Sequence, residues 1–305
     1  MKRHFLLYTK GIAMGMADVV PGVSGGTIAF ISGIYDQLLQ ALAAIPRALR
    51  LLLQGQLKMA WQSAQANFLV VLFAGVLTSV FSFAKLISYL LDTYPIFIWS
   101  FFFGLVLISV YLIAREVREK IKVSSIFLFA LGSILAYWVT QAPPIAVDQG
   151  YLSLFFAGYI AICAMLLPGI SGSFVLVLLG LYPVVLSAIK NLEVGILLVF
   201  ISGCVLGLMS FSRILIWMLN RWHDAVLMFL TGLMLGSLNK IWPWKETLSW
   251  QEISGEKVPL LQQNLWPDHY TALTGQDALL IWAIMLALIG AALVLVLDYL
   301  ASRKA

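Results

Sequence analysis

Of the 305 residues, 62% are hydrophobic and only 11% charged, and the mean hydropathy is +0.96. A soluble domain carries about a quarter of its residues as charges, so this chain expects lipid as its main solvent. The net charge of +5 is spread over short loops and reads as a topology signal, which excludes nucleic acid as a partner.

In chain order, the first apolar region, about 5–45, is broken at Pro21-Gly22-Val23-Ser24-Gly25-Gly26-Thr27. Proline and clustered glycine end a helix, and non-helical backbone at membrane depth survives only inside protein or along a cavity. The region is therefore expected as two half-helices meeting in a re-entrant hairpin. Segment 46–66, with Arg47, Arg50, Lys58 and Trp61, is expected along the inner surface. Spans of roughly 20 apolar residues follow at about 68–91, 95–114 and 123–141. A second interrupted region, 151–189, breaks at Pro168-Gly169-Ile170-Ser171-Gly172-Ser173. Spans 193–219, 223–241 and 277–300 complete the chain, with an outer loop at 242–276 that carries Trp242, Trp244, Trp250 and Trp266. With the N-terminus inside, 13 of the 19 Lys and Arg residues fall on the inner side, 4 outside, and Lys85 and Arg213 within spans. That bias puts both termini in the cytoplasm.

The chain repeats itself. Shifted by 147 positions, residues 21–42 fall on 168–189 without a gap and with eight identities in 22. At a shift of 128, Gly75 meets Gly203, Lys85 meets Arg213, and Gly104 meets Gly232. The expected fold is an all-α polytopic membrane protein of two repeats, 1–145 and 146–305, each a broken-helix hairpin plus three transmembrane helices. The odd number of crossings inverts the second copy, an architecture of many secondary transporters.

A Gly-rich turn opening a helix presents backbone N–H groups to an anion, and glycine lets it approach closely. Ser24, Gly25, Gly26 and Thr27 in the first loop, and Ser171, Gly172 and Ser173 in the second, are thus candidate substrate contacts. Lys85 and Arg213, deep cations at equivalent places, either contact the same anion or pair with a carboxylate such as Asp18. Asp18, whose counterpart is Met165, is a candidate cap, neutralising partner or carrier of a coupling proton. Cys163 and Cys204 lie in apolar runs, where no disulfide framework is expected. His4, His223 and His269 are scattered, so neither a metal site nor a cofactor is expected.

The string Gly15-Met16-Ala17-Asp18-Val19-Val20-Pro21-Gly22-Val23-Ser24-Gly25-Gly26-Thr27, followed by Gly33-Ile34-Tyr35-Asp36, resembles the bacterial polyprenyl-phosphate transporter family (PopT type). The second motif, Pro168-Gly169-Ile170-Ser171-Gly172 with Gly180-Leu181-Tyr182, is similar to that family's as well. The resemblance implies movement of undecaprenyl phosphate, the carrier lipid of cell-wall precursors, from the outer to the inner leaflet of the cytoplasmic membrane, with membrane lipid as surroundings. Two alternatives stand beside it. One is an undecaprenyl-pyrophosphate phosphatase of the BacA type. That family's motif continues Arg-Ser where this chain has Gly25-Gly26 and Gly172-Ser173, and its glutamate pair is missing here. The other is a secondary transporter of a small soluble anion.

Overall fold

The computed structural model describes residues 2–20, 23–117, 123–145, 147–253 and 256–302. Pro21 and Gly22 of the first loop, and the expected inner-side residues Arg118, Lys120, Lys122, Arg303 and Lys304, lie outside the described residues. The chain begins with α1 (Lys2–Val19), α2 (Gly25–Ile31), α3 (Tyr35–Ala43), α4 (Ile45–Leu53) and α5 (Leu57–Ser63). The long helices α6 (Ala66–Thr93), α7 (Pro95–Glu116) and α8 (Val123–Gln141) follow. The second half holds α9 (Tyr151–Leu166), α10 (Gly172–Leu178), α11 (Tyr182–Lys190), α12 (Val194–Arg221) and α13 (His223–Ser237). Beyond them come β1 (Lys245–Ile253), β2 (Glu256–Asn264), α14 (Pro267–Thr274) and α15 (Leu280–Ser302).

Among the described residues four helices, α6, α7, α8 and α12, are long and apolar enough to cross a membrane, and the number rises to six if each bent helix pair counts as one span. At 28 residues, α6 and α12 reach about 42 Å, well beyond the ~30 Å hydrocarbon layer. Their outward faces are apolar: Phe81 is 82% exposed, as expected of a side chain that meets lipid. α13 stops at Ser237, four residues short of the expected end at 241, and 238–241 runs on as turns.

Each interrupted region is three helical pieces, where two half-helices were expected. The first break is the Ser-Gly loop. The second lies at Gly33 and Gly180, equivalent positions with φ of +70° and +67°. There the chain bends by 119° after α2 and by 113° after α10. The two turns share one hydrogen-bond pattern: Gly33 N–H donates to Phe30 O and Ile34 N–H to Ala29 O, as Gly180 does to Val177 O and Leu181 to Leu176 O. This is a Schellman cap, whose left-handed residue glycine adopts without strain.

The helices pair as α1 with α6, α9 with α12, α7 with α15 and α8 with α13. A small residue makes each seam. A Cβ at Gly75 would strike the Tyr8 carbonyl, and one at Gly203 the Phe155 carbonyl. Gly104 and Gly232 lie likewise against the carbonyls of Ala287 and Phe129. Apolar burial gives little drive for helix association in lipid, so close backbone contact supplies it. The buried core joins α1, α3, α6 and α13, with Ala17, Leu39, Leu72, Leu230 and Met234 fully enclosed. The 242–276 loop folds, unforeseen, into an antiparallel hairpin of β1 and β2 followed by α14. Trp242 and Trp244 anchor its base by donating to the carbonyls of Leu265 and Ala278. Segment 46–66 forms the two short surface helices α4 and α5, with Leu49, Leu53, Leu57 and Trp61 exposed.

Candidate functional site

The two Ser-Gly loops meet. Thr27 Oγ1 accepts the Gly169 amide at 2.9 Å across 142 residues of sequence. Ser24 Oγ donates to Met165 O at 3.3 Å, and Tyr35 OH donates to Leu166 O at 2.8 Å. Ser24, Thr27 and Ser171 are buried, so these polar groups need their partners. Gly169 takes a φ of +90°, which a side chain rarely adopts, and this turns its N–H toward Thr27.

The loops are alike in sequence but not in how their amides are satisfied. At the start of α2, Asp18 Oδ1 accepts the Gly25 N–H at 2.6 Å, Ser24 Oγ the Gly26 N–H at 3.1 Å, and Ser24 O the Thr27 N–H at 2.9 Å. The first loop thus carries its own anion, the Asp18 carboxylate. In the second loop Met165 stands in place of that acid, and the Ser171 hydroxyl is paired with Ser173 Oγ at 2.8 Å. Among the described residues no group accepts from the Gly172 or Ser173 amide. Ser173 is exposed, and the glycine is needed for packing: a Cβ at Gly172 would come within 2.7 Å of Ala161 O.

A cation missed in the sequence stands beside this second loop. Lys240, in the turn after α13, lines one cleft with Thr140, Gly169, Ile170, Ser171 and Phe174, and its Nζ lies 4.7 Å from the Phe174 ring centroid. The turn is held by Asn239 Nδ2 donating to Thr140 Oγ1 and by Asn264 Nδ2 donating to the Asn239 backbone and side-chain oxygens. Lys245 donates to the Lys240 carbonyl and stands 3.6 Å above the Trp99 ring. Burial lowers the pKa of Lys240. It pushes Lys245 well below the usual lysine range, and the charge of Lys240 adds to the effect. Nothing in the spacing pointed to Lys240, because the contact joins elements some 70 residues apart. The cleft has a volume of about 10 Å³, room for about one water. In this conformation it is shut.

Lys85 and Arg213 are not drawn to the loops. Lys85 is exposed on α6 and has no hydrogen-bond or ion-pair partner among the described residues. Arg213 is exposed on α12, and its Nε donates to Ala43 O at 3.4 Å. Neither touches Asp18, whose one hydrogen bond among the described residues is the cap on Gly25. The larger cavities lie elsewhere: about 410 Å³ lined by Arg3, His4 and Lys10 among others, and about 350 Å³ lined by Arg47, Arg50 and Arg213. No three His, Cys, Asp or Glu side chains converge on a metal position among the described residues.

The VCA0040-like family model, described as undecaprenyl phosphate translocase-like, matches residues 14–258. A protein of Vibrio cholerae serotype O1 named polyprenyl-phosphate transporter is 52% identical over 298 residues, covering 97% of this chain and 96% of that protein. One of the same name from Staphylococcus aureus is 30% identical over 251 residues, covering 77% of this chain and 84% of that protein. No solved structure gives a significant match.

Proposed function

The chain belongs to the undecaprenyl phosphate translocase-like family, and from that membership we propose that it carries polyprenyl phosphate across the bacterial cytoplasmic membrane. The substrate we infer is undecaprenyl phosphate, moved from the outer to the inner leaflet for reuse. The observation behind the site is the meeting of the two loops at Thr27 and Gly169. The phosphate is held between them, by Ser24, Gly25, Gly26 and Thr27 on one side and Ser171, Gly172 and Ser173 on the other. Lys240 supplies a positive charge at the second loop, and the polyprenyl tail stays in lipid. A phosphate cannot enter a cleft of about 10 Å³, so the loops part during the cycle.

In this reading the repeats 1–145 and 146–305 are inverted copies whose loops part while the spans that join the two copies hold, with both termini in the cytoplasm. Proton uptake at Asp18 frees the Gly25 amide it caps when the headgroup arrives, which couples lipid movement to protons. Lys85 and Arg213 guide the headgroup outside the loops: an uncompensated charge on a long apolar helix is costly, and an anionic ligand offsets that cost. The relatives are named transporters, and the reading contains no hydrolytic step.

The test uses proteoliposomes with labelled undecaprenyl phosphate. Leaflet exchange of that lipid, without inorganic phosphate release and without transport of a soluble phosphate ester, is the expected result. Phosphate release would favour the phosphatase, and ester uptake the soluble-anion transporter. Lys85→Ala is expected to slow exchange without changing the unfolding midpoint.

A further inference from the structure

Three arginines from two distant elements line one cavity of about 350 Å³: Arg47 and Arg50 of α4 and Arg213 of α12, with Pro46 and Leu51. Among the described residues no acidic side chain lines it. Arg47 and Arg50 are three residues apart and share a helix face. The Nε of Arg213 donates to Ala43 O at the C-terminal end of α3, where carbonyls are unsatisfied and the helix dipole is negative. That bond fixes the guanidinium and leaves its terminal nitrogens for the cavity. Three like charges brought together repel one another, and an anion among them reverses the sign of the interaction.

The surroundings point to a lipid anion. Leu49, Leu52 and Leu53 of α4 are 47%, 48% and 89% exposed, so the helix turns its arginines to the cavity and its leucines to the bilayer. One turn beyond Arg213, Trp217 is exposed and packs edge-on against Trp222 at 5.1 Å. An exposed tryptophan pair near a helix end marks the headgroup level. The cavity therefore opens at headgroup depth, beside lipid.

We propose that Arg47, Arg50 and Arg213 form a second station for the phosphate monoester headgroup of the transported lipid, separate from the two loops. The proposal rests on the polyprenyl-phosphate reading above. A monoester carries about −1.5 to −2 charges at neutral pH and three strong acceptor oxygens, against a single charge on a diester phospholipid. Planar guanidinium forks match such a group with paired hydrogen bonds, so the station selects the carrier lipid over the bulk phospholipid around it. A free phosphate ion offers the same chemistry, and the experiment separates the two sources.

The measurement is equilibrium binding to the full chain in phosphatidylcholine nanodiscs. The probes are a labelled polyprenyl phosphate, the matching polyprenol, phosphatidylglycerol and inorganic phosphate. Wild type is expected to bind the polyprenyl phosphate and to bind the other three far more weakly. Arg47→Gln with Arg50→Gln is expected to weaken that binding roughly tenfold or more, with an unchanged unfolding midpoint. Arg213→Lys is expected to bind more weakly than wild type but better than Arg213→Gln, because lysine keeps the charge without the fork. If wild type fails to bind polyprenyl phosphate, the transport reading itself falls. If wild type binds it and the double variant binds equally well, only the arginine station falls. Inorganic phosphate binding as tightly as the lipid would overturn the lipid as its occupant.

Discussion

At Thr27 a hydroxyl expected to face a ligand is committed to the opposite loop. It is buried, and it accepts the buried Gly169 N–H. Thr27→Val keeps the shape and removes the acceptor, so the amide is orphaned at a cost of about 1–3 kcal/mol. The unfolding midpoint in detergent should fall for Thr27→Val and hold for Thr27→Ser, and equal midpoints would mean that the bond contributes nothing. Asp18 separates structure from function in a similar way. Asn at 18 still offers an oxygen to the Gly25 N–H, whereas Ala loses the cap, worth about 1 kcal/mol. Asp18→Asn should therefore keep the fold and lose the response of uptake to a pH gradient. A wild type indifferent to the gradient removes proton coupling altogether, and a mutant that still responds removes Asp18 from it. The loop serines and Thr27 were legible in the sequence because glycine and hydroxyl residues recur there in duplicate. Their partners were not, since Thr27 to Gly169 and Lys240 to Phe174 are contacts made only by the fold.

The helices that meet at glycine seams are where sequence and structure agree most closely. Gly75 against Gly203 and Gly104 against Gly232 were matched by a shift of 128, and each packs against a neighbouring carbonyl. The outer hairpin escaped notice for a local reason. Pro259 sits in β2, where proline argues against a strand, and it pairs with Trp250, next to the slip in the pairing of β1 around Ser249. The second break in each hairpin was masked by the first, because Gly33 and Gly180 follow the Ser-Gly loops by only a few residues. The seams carry a direct expectation. Gly75→Val and Gly203→Val each push a branched side chain into a backbone carbonyl, which cannot move aside as a side chain can. Each should destabilise the protein by about 1–3 kcal/mol or more, read as a lower unfolding midpoint in detergent. Gly55→Val, at a position with nothing within 4 Å, tests the opposite case. Its φ of +74° strains any side chain, but the penalty should be the smaller one, because no seam is forced apart. A larger loss at Gly55 than at Gly75 would contradict the seam account.

Across the whole molecule, the pairing of α7 with α15 and of α8 with α13 crosses from one half of the chain to the other. The halves are therefore interlocked at their spans and joined again at the loops, by Thr27 to Gly169, Ser24 to Met165 and Tyr35 to Leu166. If the phosphate passes between the loops, those three bonds break in every cycle while the span pairs hold. A covalent tie across the loops should then stop transport without unfolding the protein. Ser24→Cys with Met165→Cys places two thiols at positions whose side chain and backbone lie 3.3 Å apart. Cys163 and Cys204 are free and are first replaced by alanine. Closing the pair with a short thiol-reactive linker is expected to arrest lipid exchange, and a reducible linker should restore it on reduction. Binding at the arginine cavity should persist in the tied protein, since among the described residues no loop residue lines it. Exchange that continues at the wild-type rate with the loops tied would show that they never part, and the headgroup path would have to run around them.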